Sequence, residues 1–252
     1  MVKKPHCHFM NETAERLAAV RSQIANAARS AGRRADDIEL VAVSKTHPPE
    51  TLHEALDAGQ TLFGENRVQE ARAKIPLLPG RARWHLIGHL QKNKIRHALA
   101  AGFELFHGIN SLELAREFDR IANEAGMFPR VLLEVNVAGE ASKFGFSPDK
   151  LRAEMEPLLA LGRLQIEGLM TIPPFATEAE NSRSYFVALR EVRDALQTEF
   201  RVPLPRLSMG MSGDFTVAVE EGATLVRVGT AIFGTRSGKA WKPAADSASF
   251  DD

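Results

Sequence analysis

Two kinds of segment alternate along this chain and predict an α/β protein, a closed (β/α)8 barrel preceded by one extra helix. Of eight short runs rich in apolar and β-branched residues, each but the last is followed by a stretch with helical periodicity. Glycines close the helical stretches repeatedly, at Gly32, Gly59, Gly102, Gly126, Gly162 and Gly222. All eight units fall between Glu39 and Val228, a spacing that demands parallel pairing through right-handed crossovers. An open doubly wound sheet is the alternative architecture. No self-similar period of the solenoid kind is present.

In order, residues 1–10 read as a disordered lead-in, in which His6, Cys7 and His8 are more simply a floppy terminus than a metal site. Asn11 to Arg29 is an amphipathic helix, with Leu17, Val20, Ile24 and Ala27 at helical spacing. Strands are expected at Glu39–Ser44, Thr61–Phe63, Trp84–Ile87, Glu104–His107, Val131–Val137, Ile166–Thr171, Leu207–Met209 and Thr224–Val228. Between them lie helices at Pro49–Ala58, Val68–Lys74, Gln91–Ala101, Ser111–Ala125, Ser147–Leu161, Asn181–Phe200 and Asp214–Glu221. Ser111 and Ser147-Pro148 are start signals. Residues 11–236 form one domain. The tail, 237–252, lacks periodicity and reads as frayed.

Composition narrows the function classes. Of 252 residues 44% are hydrophobic and 25% charged, ordinary values for a globular chain. Lys plus Arg and Asp plus Glu are 32 each, which removes the simple electrostatic case for nucleic acid or an anionic membrane. A single cysteine, Cys7, permits no internal disulfide and no thiolate metal cluster. The N-terminus has no apolar signal region, and no run approaches the about 20 apolar residues of a membrane span. A cytoplasmic protein is expected.

In a barrel every strand ends at one face, where ligands bind. The strand ends here carry Lys45, Asn66, His85, His107, Asn136, Met170-Thr171, Ser208 and Arg227, polar groups where a structural residue is usually apolar. Lys45 ends a buried strand just before His47-Pro48-Pro49. Two turns then have anion-binding character: Ser208-Met209-Gly210-Met211-Ser212-Gly213 and Arg227-Val228-Gly229-Thr230, with small hydroxyls and close-approach glycines. They follow strands seven and eight, where barrels often hold phosphate, and are pictured on the far side of the mouth from Lys45. An amine plus a phosphate cup implies a Schiff base to a phosphorylated aldehyde, either a sugar phosphate or pyridoxal 5′-phosphate. Arg227 would add charge at the phosphate or face a pyridine nitrogen, where a permanent cation disfavours pyridinium.

The runs AVSKTHPPE, FGENRVQEA, WHLIGHLQKNK, LLEVNVAGEASKFGF, GLMTIPP and LSMGMSGDFTVAVEEGATLVRVGTAIFG, in order over about residues 11–236, resemble the pyridoxal phosphate homeostasis protein family. The resemblance implies a TIM-type barrel like the N-terminal domain of alanine racemase, binding pyridoxal 5′-phosphate without known turnover, for storage, buffering or delivery. By motif, Lys45 would form the Schiff base and Asn66 would lie beside the ring. Ser208, Met209, Gly210, Ser212, Gly229 and Thr230 would hold the phosphate, and Arg227 would face the pyridine nitrogen. Apo-enzymes that use the cofactor are then the expected partners, and a monomer the expected state.

Other features carry less. His85 and His89 are too weakly supported for a metal pair, and Lys92, Lys94 and Arg96 read as a solvated face. Lys143 reads as a loop lysine near the mouth, with a second reading as an acceptor during cofactor hand-over. Met170, Met209 and Met211 are expected to pack around the ring. The competing function, an amino-acid racemase, needs acid–base groups on both faces of the bound amino acid. The sole tyrosine, Tyr185, falls in a helix away from the strand ends, and the sequence ends soon after the eighth strand. Schiff-base aldolase chemistry is excluded only by the resemblance.

Overall fold

In the computed structural model, which describes residues 12–140, 143–235 and 241, eight parallel strands close into a barrel in chain order. They are β1 (Glu39–Val43), β2 (Leu62–Glu65), β3 (Arg83–Leu86), β4 (Leu105–Ile109), β5 (Arg130–Glu134), β6 (Gln165–Met170), β7 (Arg206–Ser208) and β8 (Leu225–Val228). Closure is direct: β8 pairs with β1, with Leu225 opposite Glu39 and Arg227 opposite Val41. The expected (β/α)8 barrel is the observed fold. The N-terminal lead-in and nearly all of the tail lie outside the described residues.

Period-two alternation divides every strand. Val41, Val43, Leu62, Ile87, Leu105, Leu132, Met170 and Leu225 fill the barrel interior. Their neighbours Ala42, Phe63, Leu86, Phe106, Leu133, Leu169, Leu207 and Val226 join a larger core beneath the helices. Those helices are α1 (Glu12–Ser30), α2 (Pro49–Asp57), α3 (Val68–Lys74), α4 (Ile95–Ala100), α5 (Leu112–Glu124), α6 (Pro148–Leu159), α7 (Arg183–Phe200), α8 (Phe215–Glu220) and α9 (Thr230–Phe233). Because α9 is one turn long, the eighth place in the helix layer is short of cover. Helix α1 fills it, packing against α8, α9 and α2 through Leu17, Val20 and Ile24. Arg33, just beyond α1, donates to the carbonyls of Val219 and Ala223.

Most boundaries fall within a residue or two of expectation, and the differences have local causes. Strand β5 stops at Glu134 because the next residues turn into a loop: Phe146 N–H donates to the Glu134 carbonyl and Asn136 N–H to the Phe146 carbonyl, each at 2.8 Å. The helix expected from Gln91 starts as a 3-10 turn at Lys92–Lys94. At the opposite face from the strand ends, Glu39, Arg83, Glu104, Arg130, Glu167 and Arg206 alternate in sign and seal the barrel, with Arg206 reaching Glu39 at 2.6 Å and Glu167 at 2.9 Å. Among the described residues no helix is long and apolar enough to cross a membrane.

Candidate functional site

A cavity of about 460 Å³ opens at the C-terminal ends of the strands. That is within the range of small-molecule sites, about 300–1,000 Å³. Lys45, Asn66, Met211, Ser212, Arg227, Gly229 and Thr230 line it. An apolar rim from the loop after β6 adds Ile172, Pro174 and Phe175, the last 94% exposed.

Alternation along β1 sends Val41 and Val43 inward, and so Lys45 inward, while Ser44 faces the helices. Among the described residues Lys45 is the cavity's one lysine, and no carboxylate pairs with it. The turn after β8 lies on the adjacent strand: a Cβ added to Gly229 would sit 3.4 Å from the Val43 carbonyl oxygen. The anion turn is therefore the neighbour of the lysine's strand across the closing seam, and the far-side picture drawn from sequence is corrected.

Around that turn the Ser212 hydroxyl accepts the N–H of Gly229 at 3.1 Å and of Ala231 at 3.4 Å, tying the two loops together. Asp214 caps the first loop by accepting the Met211 N–H at 2.7 Å. The N–H groups of Ser212, Gly213 and Thr230 have no partner among the described residues and border the cavity. Unmatched donors beside a lysine and an arginine fit an anion.

Arg227 is 3% exposed and is one of the residues lining the cavity. It donates to the Ser208 hydroxyl at 2.6 Å and to the Thr171 carbonyl at 2.9 Å. Burial pushes its pKa down to about 10, against the opposing pull of Glu134 and Asp214, so it remains a cation near neutral pH. Below it a chain of polar groups crosses the interior. His107 Nδ1 lies 2.9 Å from Ser208 Oγ, and His107 Nε2 lies 3.0 Å from His85 Nδ1. Burial first, and then the neighbouring His85 and arginines, hold His107 well below its ordinary value; His85 is pushed down to about 3. Both rings are neutral. One consistent assignment has Arg227 donating to Ser208, Ser208 to His107 Nδ1, and His107 Nε2–H to His85.

Several expected residues take other places. Ser208 points inward and holds Arg227 from beneath, away from the cavity lining. Met209 points outward into the core under the helices, and its N–H donates to the Leu225 carbonyl at 3.1 Å. Met170 belongs to the barrel interior, leaving Met211 as the methionine at the cavity. Gly210 is required by packing: at φ 89° an added Cβ would lie 2.5 Å from the Ala218 Cβ. His85 and His89 diverge, the latter stacking on Phe144 and reaching Asn110. Lys143 pairs with Glu140 and does not line the cavity. Among the described residues no group of three or more His, Cys, Asp or Glu side chains is placed to hold a metal.

Sequence reading missed a second buried network on the outer side of the same strand end. Lys74 on α3 is 0% exposed and donates to Glu65 at 2.8 Å, Glu70 at 2.6 Å and the Ser44 carbonyl at 2.8 Å. Ser44 Oγ also donates to Glu65 at 2.7 Å. The available signal was Lys74 at i+3 from buried Ala71, on the apolar stripe of its helix.

Comparison with known proteins decides the family. The alanine racemase N-terminal domain family matches residues 16–237. The pyridoxal phosphate homeostasis protein of Aquifex aeolicus is 45% identical over 223 residues, 88% of this chain and 97% of that protein. Its Escherichia coli counterpart is 41% identical over 233 residues, covering 90% and 98%. The chain belongs to the pyridoxal phosphate homeostasis protein family. Among solved structures, PipY of Synechococcus elongatus with PLP bound shares 43% identity at a TM-score of 0.77, covering 88% of this chain and 100% of that one. An alanine racemase of Clostridium difficile shares the fold at a TM-score of 0.68 and 17% identity, and this chain covers 57% of it.

Proposed function

We propose that this chain binds pyridoxal 5′-phosphate and stores, buffers or delivers it to apo-enzymes, acting as a carrier without catalytic turnover. The observation that carries the reading is one cavity that brings together, among the described residues, a single lysine, three unmatched N–H donors and a buried arginine. PLP bound to a relative 43% identical supports it. When bound, the cofactor supplies an aldehyde that condenses with a primary amine, releasing water and forming a Schiff base. Lys45 supplies the amine. Ser212, Gly213 and Thr230 supply donors for the phosphate, Gly229 allows close approach, and Asn66 borders the ring. Arg227 holds a permanent positive charge at the cavity wall. Facing a pyridine nitrogen, that charge keeps the nitrogen unprotonated and weakens the ring as an electron sink.

Proton traffic argues for a carrier over a racemase. Besides Lys45, the titratable groups lining the cavity among the described residues are Asp214, engaged in capping a turn, and Arg227, a permanent cation. Tyr185 sits on α7, away from the cavity. No second acid–base group stands opposite the lysine among the described residues.

The test is absorbance on adding pyridoxal 5′-phosphate, followed by borohydride and peptide mass analysis. A visible band and reduced adduct at Lys45, both lost in Lys45→Ala, are expected. Absence of the band, or its survival in Lys45→Ala, would sink the reading. Chiral analysis after incubation with single amino-acid enantiomers decides the racemase alternative, since inversion well above the free-cofactor rate would establish it.

A further inference from the structure

Thr46, the residue after Lys45, has φ 66°. A β-branched side chain there is a genuine outlier, and such conformations persist only where surrounding contacts hold them. Those contacts are present on both sides of the peptide. The Thr46 N–H donates to Glu70 Oε1 at 2.5 Å, and the Thr46 carbonyl accepts the Trp241 N–H at 3.0 Å. Glu70 Oε1 is itself fixed by Lys74 Nζ at 2.6 Å, and the same ammonium holds the Ser44 carbonyl on the other side of Lys45. The Trp241 ring lies over Lys74, with the ammonium 5.1 Å from its centroid. The peptide groups flanking Lys45 are thus gripped from the helix layer, while its side chain faces the cavity.

We propose that Glu70 is a positioning residue for Lys45: it holds Thr46 in the left-handed region, which fixes the direction in which the lysine amine leaves the strand. Trp241, in the segment expected to be frayed, closes the clamp from the other side. A relaxed Thr46 would swing the peptide and with it the Cα–Cβ bond of Lys45, so the loss falls on amine placement and leaves the phosphate donors of β7 and β8 in position. The proposal rests on pyridoxal 5′-phosphate as the ligand, and its test separates the two.

Apparent dissociation constants for pyridoxal 5′-phosphate and the fraction trapped at Lys45 by borohydride at saturation are measured for wild type, Glu70→Ala, Thr46→Gly and the double variant, alongside melting of the unliganded chains. Strain of this kind corresponds to about a five- to hundredfold change in an equilibrium. Glu70→Ala is expected to weaken binding about tenfold and lower the trapped fraction. Glycine adopts positive φ without strain, so Thr46→Gly in the Glu70→Ala background is expected to restore affinity to within about threefold of Thr46→Gly alone. A purely structural role would lower the melting temperature and leave affinity and trapping unchanged, overturning the proposal; so would failure of Thr46→Gly to rescue. If Glu70→Ala does not fold, hydrogen exchange on the wild-type chain decides: a protected Thr46 amide supports the clamp, and exchange at the rate of an open turn refutes it. Wild type that fails to bind the cofactor at all overturns the ligand and leaves a separate result from equal binding by every variant.

Discussion

The buried histidines make a measurable demand on stability against pH. His85 and His107 are neutral when folded, His85 with a pKa near 3 because burial and the surrounding arginines disfavour an imidazolium. In the unfolded chain each titrates near 6.5. Below that value the unfolded state binds one more proton per histidine. Their contribution is therefore present above about pH 6.5 and is lost as pH falls, at about 1.4 kcal/mol per pH unit for each. Glu65 acts in the opposite sense. Burial raises its pKa from 4.5 to about 7; Lys74 opposes the shift and the nearby Glu70 carboxylate adds to it. Its Oε2 is buried without a hydrogen-bond partner among the described residues. Between about pH 7 and 4.5 the folded state binds the extra proton, so this group adds stability on acidification and loses it as pH rises. The three together leave a net of one proton between pH 6.5 and 4.5, a loss of about 3 kcal/mol over that window.

His85→Asn tests the arithmetic. The Asn amide oxygen replaces Nδ1 as acceptor for His107, while the smaller side chain costs about 1–3 kcal/mol at every pH through the void it leaves. Its slope should differ from wild type by one proton, about 1.4 kcal/mol per pH unit between pH 6.5 and 4.5. Urea unfolding midpoints across that range, at constant ionic strength, give both slopes, and surface carboxylates cancel in the difference. Parallel curves for wild type and His85→Asn would refute the neutral-histidine account.

Two further outcomes follow from local structure. Ser111 Oγ accepts the Leu114 N–H at 3.1 Å and caps α5, so Ser111→Ala should cost about 1 kcal/mol, seen as a fall of about 2–4 °C in Tm by calorimetry. Gly210→Ala meets both a positive φ and the Ala218 Cβ, and should cost about 3 kcal/mol in chemical unfolding, with the affinity of folded protein for pyridoxal 5′-phosphate unchanged; a selective loss of affinity would return Gly210 to the binding loop.

The architecture was legible because strand and helix periods differ, and eight alternations admit few folds. The mouth of the site was legible for the same reason, since Lys45, Asn66 and Arg227 stand at strand ends. Which way each residue faces was also in principle readable. Alternation places Ser208 inward and Met209 outward, and treating the whole run as one phosphate loop obscured that. The second network was hidden because its members are brought together by the β2–α3 unit packing on β1, and a lysine read by itself defaults to the surface. Trp241 was hidden for a different reason: a segment without periodicity gives no sign of a single residue docking on the barrel.

The two networks flank one strand end and differ in kind. The inner one, under the cavity, consists of a permanent cation and two histidines held neutral, so near neutral pH it has no site that readily gains or loses a proton. The outer one contains carboxylates and an ammonium in hydrogen-bond contact, with Glu65 titrating near neutrality, but it faces the helices and touches Lys45 only through the backbone of Ser44 and Thr46. Lys45 stands between them and, among the described residues, is the one primary amine lining the cavity. With fixed charge beneath the cavity and fixed backbone behind the lysine, the described residues offer no second acid–base group opposite Lys45, which racemisation would need.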